Sequence, residues 1–269
     1  MGVTPQASNV ARALPSATVV LLRDGEAGAE LLLVLRHAAR TFGASYVFPG
    51  GILDVADQRM TDRLQGIDDA EVSAALGLAA GGSAYYSAAI RELFEESGVL
   101  LAKDGDGHWA RSELYEDERA ALNEGSLSWG RFVETNDLLL AGDELHYFSY
   151  WVTPREAPRR FSTRFFLALI PPGQVATHCG GELVDSRWVT AEQALMAHRR
   201  DEIELPFPTM YTLQEMRDLH NSHEFVAWAE ERRRNGVSCN LPSMTARDGE
   251  LEILMPGDPN YPVHLLVDE

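Results

Sequence analysis

The stretch Arg91-Glu92-Leu93-Phe94-Glu95-Glu96-Ser97-Gly98-Val99 brings three glutamates together on a segment that ends near a glycine. On a helix, Glu92, Glu95 and Glu96 project from one face, while the apolar residues between them fall roughly opposite and can face a core. Carboxylates at these spacings repel one another, and a hard divalent cation such as Mg²⁺ relieves that repulsion by taking their oxygens. The stretch therefore predicts a helix over 83–97, capped by Gly98, whose acidic face is either a metal site or a solvated surface.

The composition of the chain argues against some classes of function. It has 269 residues, of which 45% are hydrophobic, so we expect one large domain or a domain with an extension. A formal net charge of −18 disfavours a nucleic-acid binder but is compatible with a small phosphorylated substrate. Two cysteines, no signal-peptide pattern and no apolar run of bilayer length predict a cytoplasmic protein without membrane association.

Strand and helix patterns alternate along the chain. Apolar runs predict strands at Ala17–Leu22, Glu30–Arg36, Tyr46–Phe48, Leu145–Val152, Phe161–Ile170 and Leu183–Val189. Further helices are predicted at 112–122, 191–200, 210–220 and 223–235, and Thr190 with Gln193 forms a capping box before the second of these. Strands interleaved with helices predict an α/β layered fold.

The chain divides into three predicted parts. Residues 1–15, rich in small residues and proline, predict a flexible N-terminal arm. Residues 16–200 hold the α/β domain, interrupted at about 58–83 by a segment rich in Asp, Gly and Ala that has no strand period. Residues 201–269 predict a helical C-terminal extension and a tail packed on the domain, and a homodimer interface is a second use for this part.

Phe48-Pro49-Gly50-Gly51, the acidic Asp57 and the Arg91–Val99 stretch together resemble the Nudix box. The second half of the family pattern is Arg-Glu-apolar-x-Glu-Glu-x-Gly-apolar, and Arg91–Val99 matches it at every specified position. The first half differs, because Asp57 replaces a glutamate and 33 residues separate it from Arg91 where the family has seven. A box split in this way is similar to the subgroup that contains peroxisomal coenzyme A diphosphatase.

The resemblance implies a Nudix α/β/α sandwich with a mixed sheet, in which the box holds Mg²⁺ or Mn²⁺ against a diphosphate. The metal ligands that it implies are Glu92, Glu95, Glu96 and the carbonyl of Gly50. It also implies that Arg91 orients the glutamates through a charge-assisted pair, for which Asp57 is the candidate partner. Glu92 is in addition a candidate to position or deprotonate water.

Glu182, just before the predicted strand at Leu183–Val189, resembles a late acidic residue that many Nudix enzymes use as a metal ligand or base. The alternative is an ordinary loop carboxylate after Gly180-Gly181. We place Glu182 with Glu92 and Arg91 among the candidate catalytic residues.

Four arginines lie within ten residues of an otherwise acidic chain, namely Arg155, Arg159, Arg160 and Arg164. Arginine suits bidentate recognition of phosphate, so these residues could clamp the substrate. The alternative is pairing with the surplus carboxylates of the chain. Arg36 is similar to part of an upstream signature of coenzyme A-cleaving Nudix proteins. The predicted substrate-binding residues are therefore Arg36, Arg160 and Arg164.

The resulting hypothesis is a metal-dependent hydrolase that cleaves the diphosphate bond of a nucleoside diphosphate linked to another group. Coenzyme A or an acyl-CoA is the best single substrate, giving 3′,5′-ADP and the 4′-phosphopantetheine portion. ADP-ribose, a dinucleotide or a nucleotide sugar is the alternative within the enzyme class. A nucleotide-binding module without catalysis is the alternative outside it, although such modules are expected to lose acidic box residues that are present here.

Overall fold

The computed structural model describes residues 10–36, 45–177, 183–247, 250–262 and 265. Its strands are β1 (Ala13–Gly25), β2 (Gly28–Arg36), β3 (Ser45–Val47), β4 (Gly50–Ile52), β5 (Ala102–Lys103), β6 (Leu139–Leu140), β7 (His146–Val152), β8 (Arg160–Leu169), β9 (Leu183–Val189), β10 (Cys239–Asn240), β11 (Ser243–Arg247) and β12 (Glu250–Leu254). Its α-helices are α1 (Asp69–Ala75), α2 (Ser83–Ser97), α3 (Glu116–Asn123), α4 (Trp129–Thr135), α5 (Ala191–Arg199), α6 (Phe207–Met216) and α7 (Ser222–Asn235). Short 3₁₀ helices occupy Asp57–Arg59, Thr61–Arg63, Ser112–Tyr115 and Gly142–Glu144. No helix in these ranges is long and apolar enough to cross a membrane.

Within the described residues, eight strands form a mixed sheet around the parallel pair β1 and β8. The sheet runs β10-β7-β8-β1-β2-β3, and β9 also pairs with β2. β1 and β2 pair antiparallel at their hairpin, where Leu22–Gly25 meets Gly28–Leu31. Beyond the hairpin, β4 pairs with the start of β1 and β3 pairs with the end of β2. Phe48 and Pro49, which connect β3 to β4, therefore lie where β1 and β2 separate. The N–H of Val19 in β1 donates to the Pro49 carbonyl at 2.8 Å.

Side chains of the central strands alternate between two apolar cores. In β1, Val19 and Leu21 belong to the core shared with α2, α3 and α4. Val20 and Leu22 belong to the core shared with α5, α6 and α7. The sheet is therefore covered on both faces, which is why its central strands read as continuous apolar runs. The predicted α/β/α sandwich with a mixed sheet is confirmed, and helices of the predicted C-terminal extension build one of its layers.

The helix α2 spans Ser83–Ser97, as the sequence predicts. Its apolar side packs in the core that contains Val19 and Leu21, since Ile90, Leu93 and Phe94 are completely buried there. Gly98 ends the helix with a φ of 72°, and its N–H donates to the carbonyl of Phe94. Glycine suits this left-handed position because any Cβ is strained there. These two constraints fix the direction in which the glutamate face of α2 points.

The first strand is longer than predicted. β1 begins at Ala13, inside the segment expected to be a flexible arm, and not at Ala17. The reason is pairing on both sides, because Ala13 already pairs with Arg160 of β8 and Ser16 pairs with Ile52 of β4. The first nine residues of the predicted arm lie outside the described residues.

Candidate active site

Asp57 and Arg91 form a buried ion pair that joins the two halves of the split motif. Arg91 Nη2 donates to Asp57 Oδ2 at 3.0 Å, and Arg91 Nε lies 3.2 and 3.3 Å from the two carboxylate oxygens. Asp57 is completely buried and also accepts from Ser87 Oγ at 3.0 Å and from the Asp54 N–H at 2.8 Å. Trp129 Nε1 in turn donates to Ser87 Oγ at 3.0 Å. The predicted pairing of Arg91 with Asp57 is confirmed. Asp57 reaches Arg91 although aspartate is shorter than the glutamate of the family pattern and the insert lies between the two residues.

The other N–H groups of Arg91 hold two of the glutamates. Arg91 Nη1 donates to Glu92 Oε1 at 2.8 Å and to Glu95 Oε2 at 3.2 Å, while Nη2 also donates to the Ile52 carbonyl at 2.9 Å. Burial by itself would lower the pKa of Arg91, but the charges of Glu92, Asp57 and Glu95 outweigh it and raise that pKa. The guanidinium therefore stays charged and ties the segment after β4 to the acidic face of α2.

Glu96 reaches the glycine loop directly. The Gly50 N–H donates to Glu96 Oε2 at 2.9 Å. Arg36 Nη2 donates both to Glu96 Oε1 at 2.7 Å and to the Gly50 carbonyl at 2.8 Å. Two of the four predicted metal ligands thus converge on one positively charged nitrogen. Arg36 therefore bridges the glycine loop and the acidic face of α2.

Gly50 and Gly51 lie so close to their neighbours that a Cβ at either position would force other atoms to move. A Cβ on Gly50 would overlap the Ala17 carbonyl and the Thr18 side chain of the neighbouring strand. A Cβ on Gly51 would overlap the carboxylate of Glu92. The glycine pair therefore lets the loop approach both β1 and the acidic helix face.

Burial raises the pKa of the three glutamates. The pKa of Glu95 and of Glu96 rises to about 7, and that of Glu92 rises above its usual range. Arg91 opposes the increase at Glu92 and Glu95, and Arg36 opposes it at Glu96. The site thus holds more desolvated negative charge than its arginines neutralise. Carboxylate oxygens, together with a backbone carbonyl oxygen, are ligands that Mg²⁺ and Mn²⁺ prefer, so the donor set fits such an ion.

The arginines also keep the glutamates apart. Within the described ranges, the oxygens of Glu92, Glu95 and Glu96 do not all approach to within 4.8 Å of one another. Arg91 holds the first two and Arg36 holds the third, so a cation that used all three would draw these carboxylates together.

A second acidic cluster does meet that distance. It consists of Asp104, Asp106 and His108, of which the last two are exposed. Asp104 Oδ1 accepts the N–H of Asp106 at 3.0 Å and that of His108 at 2.9 Å. The arrangement is explained as a surface turn held by its aspartate.

Two of the four clustered arginines, the ones predicted to bind substrate, lie inside the protein. Arg160 and Arg164 are 4% and 3% exposed. Arg160 donates to the carbonyls of Thr153 and Ala11, both at 3.0 Å. Arg164 donates to the Leu76 carbonyl at 2.9 Å and stacks on Tyr150, with 3.4 Å between the guanidinium carbon and the ring centre. The fold therefore does not bring these two side chains to the Arg91 network, and their role in binding substrate stays a prediction.

Other residues of the site follow less directly from the sequence. Glu182 lies outside the described residues, so its predicted role is untested. Arg119 is buried and donates from Nε to the Glu95 carbonyl at 3.1 Å, and Asn123 donates to the same carbonyl at 3.2 Å. These α3 residues stabilise the negative end of α2. Their polar segment carries no signal of this role, whereas Ser87 could have been found because it lies one turn before Arg91.

Comparisons with known proteins show which family the chain resembles. A family model described as the NUDT19 Nudix domain matches residues 68–216, more than half of the chain. Acyl-coenzyme A diphosphatase NUDT19 of Homo sapiens is 26% identical over 282 residues, which cover 87% of this chain and 72% of the relative. The protein of that name in Gallus gallus is also 26% identical over 282 residues, covering 87% of this chain and 73% of the relative.

A solved structure shows the same fold. The NUDIX hydrolase from Alicyclobacillus acidocaldarius superposes with a TM-score of 0.69 and is 28% identical. The superposition covers 80% of this chain and 96% of that chain. The match to the family model begins after Asp57 and so does not include the first half of the split motif. The ion pair between Asp57 and Arg91 is the contact that relates the first half to the second. The chain belongs to the NUDT19 Nudix domain family and is a pyrophosphohydrolase of the Nudix type.

Proposed function

We propose that this enzyme is a metal-dependent diphosphatase whose substrate is coenzyme A or an acyl-CoA. The observation that supports a metal-dependent diphosphatase best is the Arg91 network, which joins Asp57, Glu92 and Glu95 across the split motif. The similarity to proteins named acyl-coenzyme A diphosphatase supports the choice of substrate.

The metal ligands in this proposal are Glu92, Glu95, Glu96 and the carbonyl of Gly50. A bound Mg²⁺ or Mn²⁺ would supply neutralisation of the diphosphate charge and acidification of water. The protein contributes the positions of the oxygens. Arg91 fixes two of the carboxylates, and the Gly50 N–H fixes the third.

Glu92 is the proposed base for the attacking water. Burial raises its pKa above the ordinary range of a glutamate, which makes its carboxylate a stronger base than an exposed one. The oxygen of that water bonds to one phosphorus of the diphosphate, and the bond from that phosphorus to the bridging oxygen breaks. Coenzyme A then yields two phosphate monoesters, 3′,5′-ADP and 4′-phosphopantetheine. Glu182 is the second candidate for a base or ligand.

Arg36 is the proposed contact to the substrate phosphates. Its side chain is 44% exposed beside the Gly50 loop, so it can turn from Glu96 to a phosphate oxygen. A small substrate with localised phosphates suits a chain of net charge −18, which would repel a polynucleotide.

A substrate panel tests this proposal. Coenzyme A, an acyl-CoA, ADP-ribose, a dinucleotide and a nucleotide sugar would each be incubated with the protein and Mg²⁺ or Mn²⁺, with products identified by mass spectrometry. We expect the highest kcat/KM for coenzyme A or the acyl-CoA. Faster hydrolysis of ADP-ribose, the dinucleotide or the sugar would overturn the substrate, and absence of any product would overturn the metal-dependent diphosphatase.

A further inference from the structure

The insert that splits the motif meets the start of the acidic helix. Asp69 Oδ1 accepts the N–H of Ser83 at 2.9 Å, and Asp69 Oδ2 accepts the N–H of Gly81 at 3.1 Å. Ser73 Oγ accepts the N–H of Gly82 at 2.8 Å. Three consecutive N–H groups at the beginning of α2 thus find their acceptors on α1. The N-cap residue Gly82 has no side chain that could do this.

This contact supplies what α2 lacks in its own sequence. A helix begins with unpaired N–H groups and a partial positive charge, yet the first turn of α2 contains no acidic residue. Asp69 provides both acceptors and a negative charge. The side chain and N–H of Ser83, followed by the N–H of Gly81, hold the pKa of Asp69 below its usual range. Asp69 is therefore ionised at neutral pH.

The insert is itself fixed to the sheet. Arg164 of β8 donates to the Leu76 carbonyl at the end of α1, at 2.9 Å, where a cation also suits the helix dipole. A Cβ on Gly82 would overlap the backbone of Ser73, so α1 and the start of α2 are in direct contact. α1 therefore connects the buried Arg164 of the sheet to the first turn of α2.

We propose that Asp69 and Ser73 are positioning residues, through which the insert caps the helix that presents Glu92, Glu95 and Glu96. At 1.5 Å per residue, Glu92 lies about 14 Å along the axis from the capped turn at Ser83. A rigid helix transmits a displacement of its start to its glutamates. The inference rests on the proposed metal site, and it gives the interrupting segment a role in that site.

The test compares Asp69→Ala and Ser73→Ala with Asp68→Ala. Asp68 lies beside Asp69 but caps α1 itself, by accepting the Glu71 N–H at 2.9 Å. Hydrogen exchange of the Gly81, Gly82 and Ser83 amides, Mn²⁺ affinity by electron paramagnetic resonance, and kcat and KM for coenzyme A would be measured. For Asp69→Ala we expect exchange at these amides to accelerate about tenfold. We expect Mn²⁺ affinity and kcat to fall about tenfold with KM unchanged. Ser73→Ala changes the same quantities less, and Asp68→Ala resembles the wild type.

Two results would overturn the inference. One is wild-type exchange and Mn²⁺ affinity in Asp69→Ala and Ser73→Ala. The other is an equal loss in Asp68→Ala, which would mean that any weakening of the insert has this effect. If Asp69→Ala does not fold, Ser73→Ala decides by the same criteria. If the wild type hydrolyses no substrate of the panel, the proposed function fails, while the exchange and Mn²⁺ measurements still decide the role of Asp69.

Discussion

Asp57 accepts hydrogen bonds from two nitrogens of Arg91 across 34 positions of sequence, although the insert lies between them. The pair closes a loop that contains the whole insert. Arg91 uses its remaining donors on Glu92, Glu95 and the Ile52 carbonyl. The buried pair therefore connects the stability of the fold to the arrangement of the acidic face.

Asp57→Asn is expected to destabilise the protein by about 3 kcal/mol, because it leaves the buried Arg91 charge without its main partner. The free energy of unfolding would be measured by urea denaturation. Asp62→Asn changes an exposed aspartate of the same segment and should alter this energy by less than about 0.5 kcal/mol. Equal unfolding midpoints for Asp57→Asn and the wild type would contradict a structural role for the pair.

Gly51→Ala is expected to lower kcat at least about tenfold with little change in Tm, because the added Cβ displaces the Glu92 carboxylate. Gly105→Ala is the matched control, since its Cβ would meet only Asp137 Oδ2, at an ordinary 3.6 Å. A Gly51→Ala enzyme with wild-type kcat would show that the position of Glu92 does not matter for turnover.

Metal affinity is expected to increase with pH. Glu95 and Glu96 have a pKa of about 7 in the metal-free protein, against an ordinary value of 4.5, so each must lose a proton to bind a cation. Mn²⁺ affinity should therefore be about tenfold or more higher at pH 8 than at pH 6. An affinity that does not change over this range would contradict the assignment of these ligands.

The same pKa values determine the sign of the stability change without metal. Between about pH 4.5 and 7, the folded protein binds more protons at Glu95 and Glu96 than the unfolded chain does. Stability without metal should therefore decrease as pH rises through this window, and Mg²⁺ should raise Tm more at pH 8 than at pH 6. Thermal unfolding with and without Mg²⁺ at both pH values measures this difference.

Arg36→Gln separates substrate binding from metal binding. Arg36 donates to Glu96 and to the Gly50 carbonyl, so its removal frees two proposed metal ligands while deleting a proposed phosphate contact. We expect KM for coenzyme A to rise about tenfold, since a charge-assisted hydrogen bond is lost, and Mn²⁺ affinity not to fall. Arg111→Gln, at an exposed arginine, is the control. A loss of Mn²⁺ affinity with unchanged KM would assign Arg36 to the metal site instead.

Local signals in the sequence predicted several elements correctly. The periodicity of α2 and its Gly98 cap gave both ends of that helix. The capping box of Thr190 and Gln193 is present at the start of α5. Each of these features depends on residues within a few positions of one another, which a single sequence displays directly.

Features that depend on tertiary contacts could not be predicted in this way. The bonds from Asp69 to the start of α2 join residues that no spacing rule connects. β5 and β6 are two-residue strands that exist because they pair with each other. α4 was missed because it is short and Ser128 makes no capping hydrogen bond, and packing of Phe132 in the core stabilises it instead. The sequence shows that four arginines lie close together, but it does not show that Arg160 donates to backbone carbonyls.

The most direct test of the account is hydrolysis of coenzyme A by the wild type, Glu95→Gln and Glu96→Gln, with Mg²⁺ and with chelator. Far-ultraviolet circular dichroism of each variant serves as the control for folding. We predict 3′,5′-ADP and 4′-phosphopantetheine from the wild type with Mg²⁺, and no turnover from either folded variant or from the chelated enzyme. Full activity in both variants, or activity that survives removal of the metal, would contradict the account.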